Sequence, residues 1–236
     1  MGPSGKSGRT ELRITMIHAL PESIPPTRLA FQDVFPEAEL VNFLDEGLFI
    51  DFQDHLTARL RRRMCQVICY CAEHGADAIG LACSVYTPVV EMASTLVDVP
   101  VVSSYGPVVK EALAAGARIG ILASVPATLR DAEIYLQETA REHNKSVEVR
   151  PCLAEDLITV LRTEGEVAFH RRLAEEVQEL ASVVEVVLLS QFSMASGLSH
   201  LRAVSPVPVL SAPHSSASYL KQLVLAPKEG IHGERG

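Results

Sequence analysis

Cys83 closes the apolar run Ala78-Ile79-Gly80-Leu81-Ala82 and precedes Ser84-Val85-Tyr86-Thr87-Pro88, where a helix is expected to begin. Unpaired backbone N–H groups at such a start favour a thiolate and can hold a carboxylate. The spacing therefore points to a reactive thiol, acting as acid, base or nucleophile. A strand-end cysteine also serves as a small buried apolar residue, and spacing alone leaves that alternative open. His18 ends another apolar run, Ile14–Leu20. If the two strands are neighbours, about 4.8 Å apart, its ring comes within about 5–7 Å of Cys83. It would then take the thiol proton or stabilise the thiolate. A histidine bonded to a loop carbonyl is the competing reading.

Ser84, Val85 and Thr87, with Ser124 and Thr128 further on, follow strand ends and offer amides and hydroxyls to a carboxylate. The same hydroxyls are good helix caps. Gln191 and Ser193 begin the helix after a later strand; Gln191 can hydrogen-bond a ligand but exchanges no proton at neutral pH. His214 starts the last helix, where capping or surface exposure competes with a place at the site. Asp45 and Glu46 read as turn or rim residues. Cys65, Cys69 and Cys71 do not share one helix face and no histidine pair stands at ligand spacing, so no metal site is expected and they read as small apolar residues. Gly5-Lys6-Ser7 lacks the glycine and the strand that a phosphate-binding loop requires.

The elements that must position these groups alternate between short apolar runs and helical patterns, as in βα units around parallel sheets. Strands are expected at 14–20, 39–44, 78–83, 99–103, 118–124, 146–151, 184–190 and 207–211. Helices are expected at about 25–36, 53–74, 88–96, 106–115, 127–143, 153–161, 166–182, 194–203 and 214–225. An internal repeat organises them. Arg13-Ile14 and Pro21 recur as Arg118-Ile119 and Pro126, and Val99-Pro100-Val101 recurs as Val207-Pro208-Val209. The second offset lays Gln191 over Cys83. The chain is thus expected to be α/β, two pseudo-symmetric lobes, each a four-stranded parallel sheet flanked by helices, with a cleft between them. In strand order 2-1-3-4 the first and third strands are neighbours where ligands bind. The expected boundaries are a tail at 1–11, a first lobe at 12–112 joined by the last helix at about 212–225, a second lobe at 113–211 and a tail at 226–236.

Composition narrows the partners. With Asp+Glu 29 against Lys+Arg 21, a net charge of −8 offers no broad basic surface to nucleic acid. The run Arg59 to Arg63 reads as a solvated helix face. No apolar stretch is long enough to span a membrane and the N-terminus has no secretory pattern, so a cytoplasmic protein is expected. The odd count of cysteines, Cys 5, fits a reducing compartment. Self-association is left open.

Leu81-Ala82-Cys83-Ser84-Val85-Tyr86-Thr87-Pro88 resembles the first cysteine motif of the aspartate/glutamate racemase superfamily, commonly A-C-N-[TS]. Leu188-Leu189-Ser190-Gln191-Phe192-Ser193-Met194-Ala195 resembles the second, commonly L-G-C-[TA]-x-[MF]-A. The likeness runs over about residues 12 to 225. It implies chemistry without cofactor or metal at the carbon next to a carboxylate or carbonyl, as in aspartate, glutamate and hydantoin racemases, maleate isomerase and arylmalonate decarboxylase. Two cysteines flank that carbon in the racemases. Here the second is Gln191, and the usual asparagine is Ser84. Two-base racemisation is therefore disfavoured. The resemblance implies single-cysteine proton transfer or covalent chemistry on a small (di)carboxylic acid, such as decarboxylation or isomerisation. Cys83 and His18 would be catalytic, and Ser84, Val85, Thr87, Ser124, Thr128, Gln191, Ser193 and His214 would hold the substrate. A racemase with a non-cysteine second base, and a non-catalytic acid-binding protein, are the rivals.

Overall fold

The computed structural model describes residues 11–53 and 55–226. The tails expected at 1–11 and 226–236, and Gly5-Lys6-Ser7, lie outside them apart from Glu11 and Ala226. In the first half, β1 (Arg13–His18), α1 (Ile24–Val34), β2 (Glu39–Leu44), α2 (Gly47–Ile50) and α3 (Ala58–Glu73) come in turn. They are followed by β3 (Ala78–Leu81), α4 (Val90–Ser94), β4 (Val101–Val102) and α5 (Gly106–Ala115). The second half runs β5 (Arg118–Ala123), α6 (Pro126–Glu142), β6 (Glu148–Leu153), α7 (Leu157–Glu164) and α8 (Glu166–Ala181). It ends with β7 (Val186–Leu189), α9 (Leu198–Val204), β8 (Val209–Ser211) and α10 (Ala212–Leu225). Two 3-10 turns, Ser84–Val89 and Phe192–Gly197, follow β3 and β7 at equivalent places.

All strand pairs are parallel. The sheets have orders β2-β1-β3-β4 and β6-β5-β7-β8, the arrangement that the repeat requires. Every residue of β3 and β7 is buried, because helices cover both faces of a parallel sheet and both sets of alternating side chains are apolar. Ile14, Met16, Ile119, Ile121, Val186 and Leu188 point into a central layer that joins the two halves through α5, α6 and α10. Their alternates pack outward, Ile17, Ile79 and Leu81 onto α3, and Leu122, Val187 and Leu189 onto α8. The architecture is therefore two sheets sharing a middle layer of helices, with an outer helical layer on each side.

Local signals explain the helix starts. Thr57 accepts the Leu60 N–H at 3.2 Å and caps α3. Pro126 and Pro213 lie in the first turns of α6 and α10, where a missing N–H costs nothing. Gly80 allows Met16 to cross β3; a Cβ there would stand 2.4 Å from the Met16 Sδ. The C-terminal α10 packs against α1 of the first half, and Lys221 on it donates to the Val34 carbonyl at 3.1 Å. Among the described residues, no helix is long and apolar enough to cross a membrane.

The helix expected at 53–74 begins only at Ala58 as α3, and a four-residue helix that was not expected, α2, stands before it. Such a short piece has no periodicity to read.

Candidate active site

The carboxyl ends of the central strands of both sheets open onto one cleft of about 650 Å³. Cys83, Ser84 and Val85 line one wall; Thr128, Gln191 and Ser193 line the other. Cys83 immediately precedes the turn after β3, and Gln191 immediately precedes the matching turn after β7. The pairing of these two residues across one cleft is what the internal repeat predicts.

Cys83 is half-buried. Burial pushes its thiol up to about 12, and the Val85 N–H offsets only part of that rise. The expectation of a thiolate ready near neutral pH is thus corrected. The turn after Cys83 is six residues of 3-10 helix, and its one assisting N–H does not outweigh desolvation of the charged sulfur. Burial thus favours the protonated form of the Cys83 sulfur.

Gln191 is fixed in orientation. Its Oε1 accepts the Ser124 backbone N–H at 2.6 Å and the Ser124 hydroxyl at 3.0 Å. A backbone N–H can only donate, so the amide oxygen must face it and the NH2 group is the donor that Gln191 retains. Ser124 is therefore the group that aims Gln191 and is itself buried. Ser190, beside it, lines the cleft and donates to the Leu122 carbonyl at 2.8 Å.

The two walls are tied together by Tyr105, a residue that sequence reasoning missed. Its hydroxyl donates to the Thr128 carbonyl at 2.9 Å and stands beside the Ser84 side chain. Tyr105 is buried, which pushes its phenol pKa up and keeps it neutral. Nothing in its local sequence marks it, because both partners are distant in the chain.

Four expected site residues are not in the cleft lining: Ser124, expected to hold the substrate, stands behind Gln191 and bonds to it, and the other three lie elsewhere. His18 does not pair with Cys83: its Nδ1 lies 2.6 Å from the Ser23 hydroxyl and its Nε2 2.8 Å from the Asn42 Oδ1. The register explains this. Ile17 lies level with Leu81, so His18 is level with Ala82, and its side chain takes the face opposite to that of Cys83. Ala82 accordingly packs in the central layer, whereas Cys83 and Ala19 pack on the outer side. Fully buried, the imidazole is held neutral, its pKa lowered to about 4. His214 is bonded to Ser211 at 2.7 Å and lies 3.3 Å from Asp33 on α1; it anchors the base of α10 instead of lining the cleft. Thr87 turns into a neighbouring cavity of about 360 Å³ with Arg130 and Tyr135, whereas Ser84 and Val85 line both spaces.

Much of the remaining cleft wall is apolar and comes from a segment, 49–52, to which the sequence assigns no element. Phe49, Ile50 and Phe52 reach the cleft from the strap between β2 and α3, facing Leu20 and Val125. Among the described residues that line it, Cys83 is the only group able to ionise below pH 13. Among the described residues, no group of three or more His, Cys, Asp or Glu is placed to hold a metal ion.

This geometry is that of a pseudo-symmetric two-sheet protein with one cleft thiol. The family model for Asp/Glu/Hydantoin racemase matches residues 49–160, a span that contains Cys83 and stops before Gln191. No curated protein sequence matches the chain significantly. Among solved structures, an allantoin racemase from Klebsiella pneumoniae is similar at 18% identity and a TM-score of 0.70, over 91% of this chain and 88% of that one. An aspartate racemase homologue from Pyrococcus horikoshii OT3 is similar at 17% identity and a TM-score of 0.70, over 90% and 98%. An unliganded arylmalonate decarboxylase is similar at 13% identity and a TM-score of 0.61, over 91% and 94%. At these identities the structural likeness speaks for the fold. The matched segment, less than half of the chain, is similar to that family, and the chain as a whole shares the fold of these solved structures.

Proposed function

We propose that the protein is an enzyme that protonates a carbanion next to a carboxylate, with Cys83 as the proton donor, and that decarboxylation of a small acid is its reaction. One observation carries the reading. The cleft presents a single thiol, held protonated by burial, opposite an amide that cannot exchange a proton. A racemase needs a base as well as an acid, on opposite faces of the carbon. The described lining residues supply no second one, which counts against the reading with a non-cysteine base.

In the proposed step the bond between the reacting carbon and one carboxylate breaks, CO2 leaves, and its bonding electron pair stays as an enolate of the remaining acid. The Cys83 S–H proton then passes to that carbon, and water returns a proton to the sulfur. The Gln191 NH2 and the hydroxyls of Ser84, Thr128 and Ser193, which line the cleft, would stabilise the enolate oxygens, with Ser124 holding Gln191 in place. Fixed donors of this kind are worth about 10²–10³ in rate each, and the step requires no cofactor.

The test is a panel of malonates, hydantoins, maleate and acidic amino acids in D2O, followed by NMR and by CO2 release. CO2 release with one deuterium at the α carbon supports the reading, and Cys83→Ala must abolish it while the melting temperature stays within a few degrees. Turnover retained in Cys83→Ala overturns it.

A further inference from the structure

The strap from Asp45 to Gln53 is held in a way that its sequence does not announce. Arg63, on the first turns of α3, reaches back beneath it. Its Nε and Nη2 donate to the two Asp45 carboxylate oxygens at 2.8 and 2.7 Å, and its Nη1 donates to Asp51 at 3.1 Å. One guanidinium thus pins both ends of the turn that carries Phe49 and Ile50, using the bidentate geometry that only arginine offers. Gly47 makes room for it: a Cβ there would stand 2.4 Å from Nη2. From the other side, the buried Tyr86 hydroxyl donates to the Leu48 carbonyl at 2.7 Å, so the strap is also fastened to the turn that follows Cys83.

What the strap offers the cleft is apolar. Ile50 is 74% exposed and Phe49 43% exposed, a large apolar surface at the mouth of a cavity. No described lining residue is charged. A carboxylate on the far end of a substrate would lose water against Phe49, Ile50 and Leu20 without gaining a cation, which is costly. An alkyl or aryl group would be favoured at the same place.

We propose that the strap is the specificity element of the cleft, selecting acids with an apolar substituent on the reacting carbon, and that Arg63 is the positioning residue that holds it there. This rests on the cleft being the substrate site of the proposed reaction, but its test is binding and needs no turnover. Affinities of phenylmalonate, malonate and succinate are measured by calorimetry on the intact protein and on Arg63→Gln, Gly47→Ala and the double variant Phe49→Ser/Ile50→Ser. The wild type is expected to bind phenylmalonate at least tenfold more tightly than malonate or succinate. Arg63→Gln and Gly47→Ala are expected to shrink that ratio to about threefold or less, the affinity for malonate changing little. Phe49→Ser/Ile50→Ser changes exposed positions and is expected to do the same without loss of folding, which keeps the test open if the other variants unfold. Equal wild-type affinities for the three acids, no binding of phenylmalonate, or an unchanged ratio in the Phe49→Ser/Ile50→Ser variant overturns the proposal. If discrimination is found without any turnover, the strap assignment stands and the decarboxylase reading alone fails.

Discussion

Cys83 should be a slow thiol, and the expected slowness can be worked from the structure. Burial moves its pKa from an ordinary 9.0 to about 12. At pH 8 the thiolate is then about one part in 10⁴, against about one part in ten for an ordinary cysteine, a deficit of roughly 10³. A more basic thiolate is intrinsically more nucleophilic, with a Brønsted slope of about 0.4–0.5, which recovers roughly 15- to 30-fold. The net expectation is alkylation by iodoacetamide about 30- to 60-fold slower than that of an unstructured cysteine peptide, and partial burial slows it further. The assay is timed alkylation read by peptide mapping between pH 7 and pH 10. The Cys83 rate should rise about tenfold per pH unit throughout, without a plateau. A Cys83 modified as fast as the peptide at pH 7, or a rate that levels off near neutrality, would refute the argument that desolvation governs this sulfur. It would also remove the reason to cast Cys83 as an acid.

Three further outcomes follow from single residues. Gln191→Cys places a second thiol on the opposite wall of the cleft, so weak racemisation of an acid should appear, detectable as deuterium exchange with loss of optical purity. A wild type that already racemises an acid at an ordinary enzymatic rate contradicts the role given to Gln191. His18, neutral and buried with its pKa lowered to about 4, binds a proton more readily unfolded than folded. Its contribution to stability is therefore present above about pH 6.5 and lost as pH falls towards 4, about 2–3 kcal/mol by pH 4.5. Urea unfolding should show that His18→Gln loses less stability than the wild type between pH 7 and pH 4.5; equal losses would be the contrary result. Leu188, fully buried in the layer that joins the halves, should cost about 2–5 kcal/mol when changed to alanine, read as a lowered urea midpoint with an unchanged slope.

Much of this protein is legible in its sequence because the information is local and repeated. Alternation of apolar runs with helical patterns gives eight strands, and the recurrence of Arg13-Ile14 and Val99-Pro100-Val101 gives two equivalent sheets in the order 2-1-3-4. Gln191 falls opposite Cys83 for the same reason: equal spacing along two copies of one unit places equal positions at equal places. Only the tertiary structure decides the rest. A shift of one residue in register turns a side chain to the other face of a sheet, and that shift separates His18 from Cys83 although both end neighbouring strands. Arg63 looks like one of a run of solvated arginines until folding brings Asp45 and Asp51 to it, and four-residue α2 has no period that would announce the apolar wall. The state of the Cys83 thiol is the furthest from the sequence of all. Its pKa is set by how much protein surrounds the sulfur, and Cys83 packs against a cluster drawn from β1, α2, α3 and β3, elements that meet only when the chain has folded.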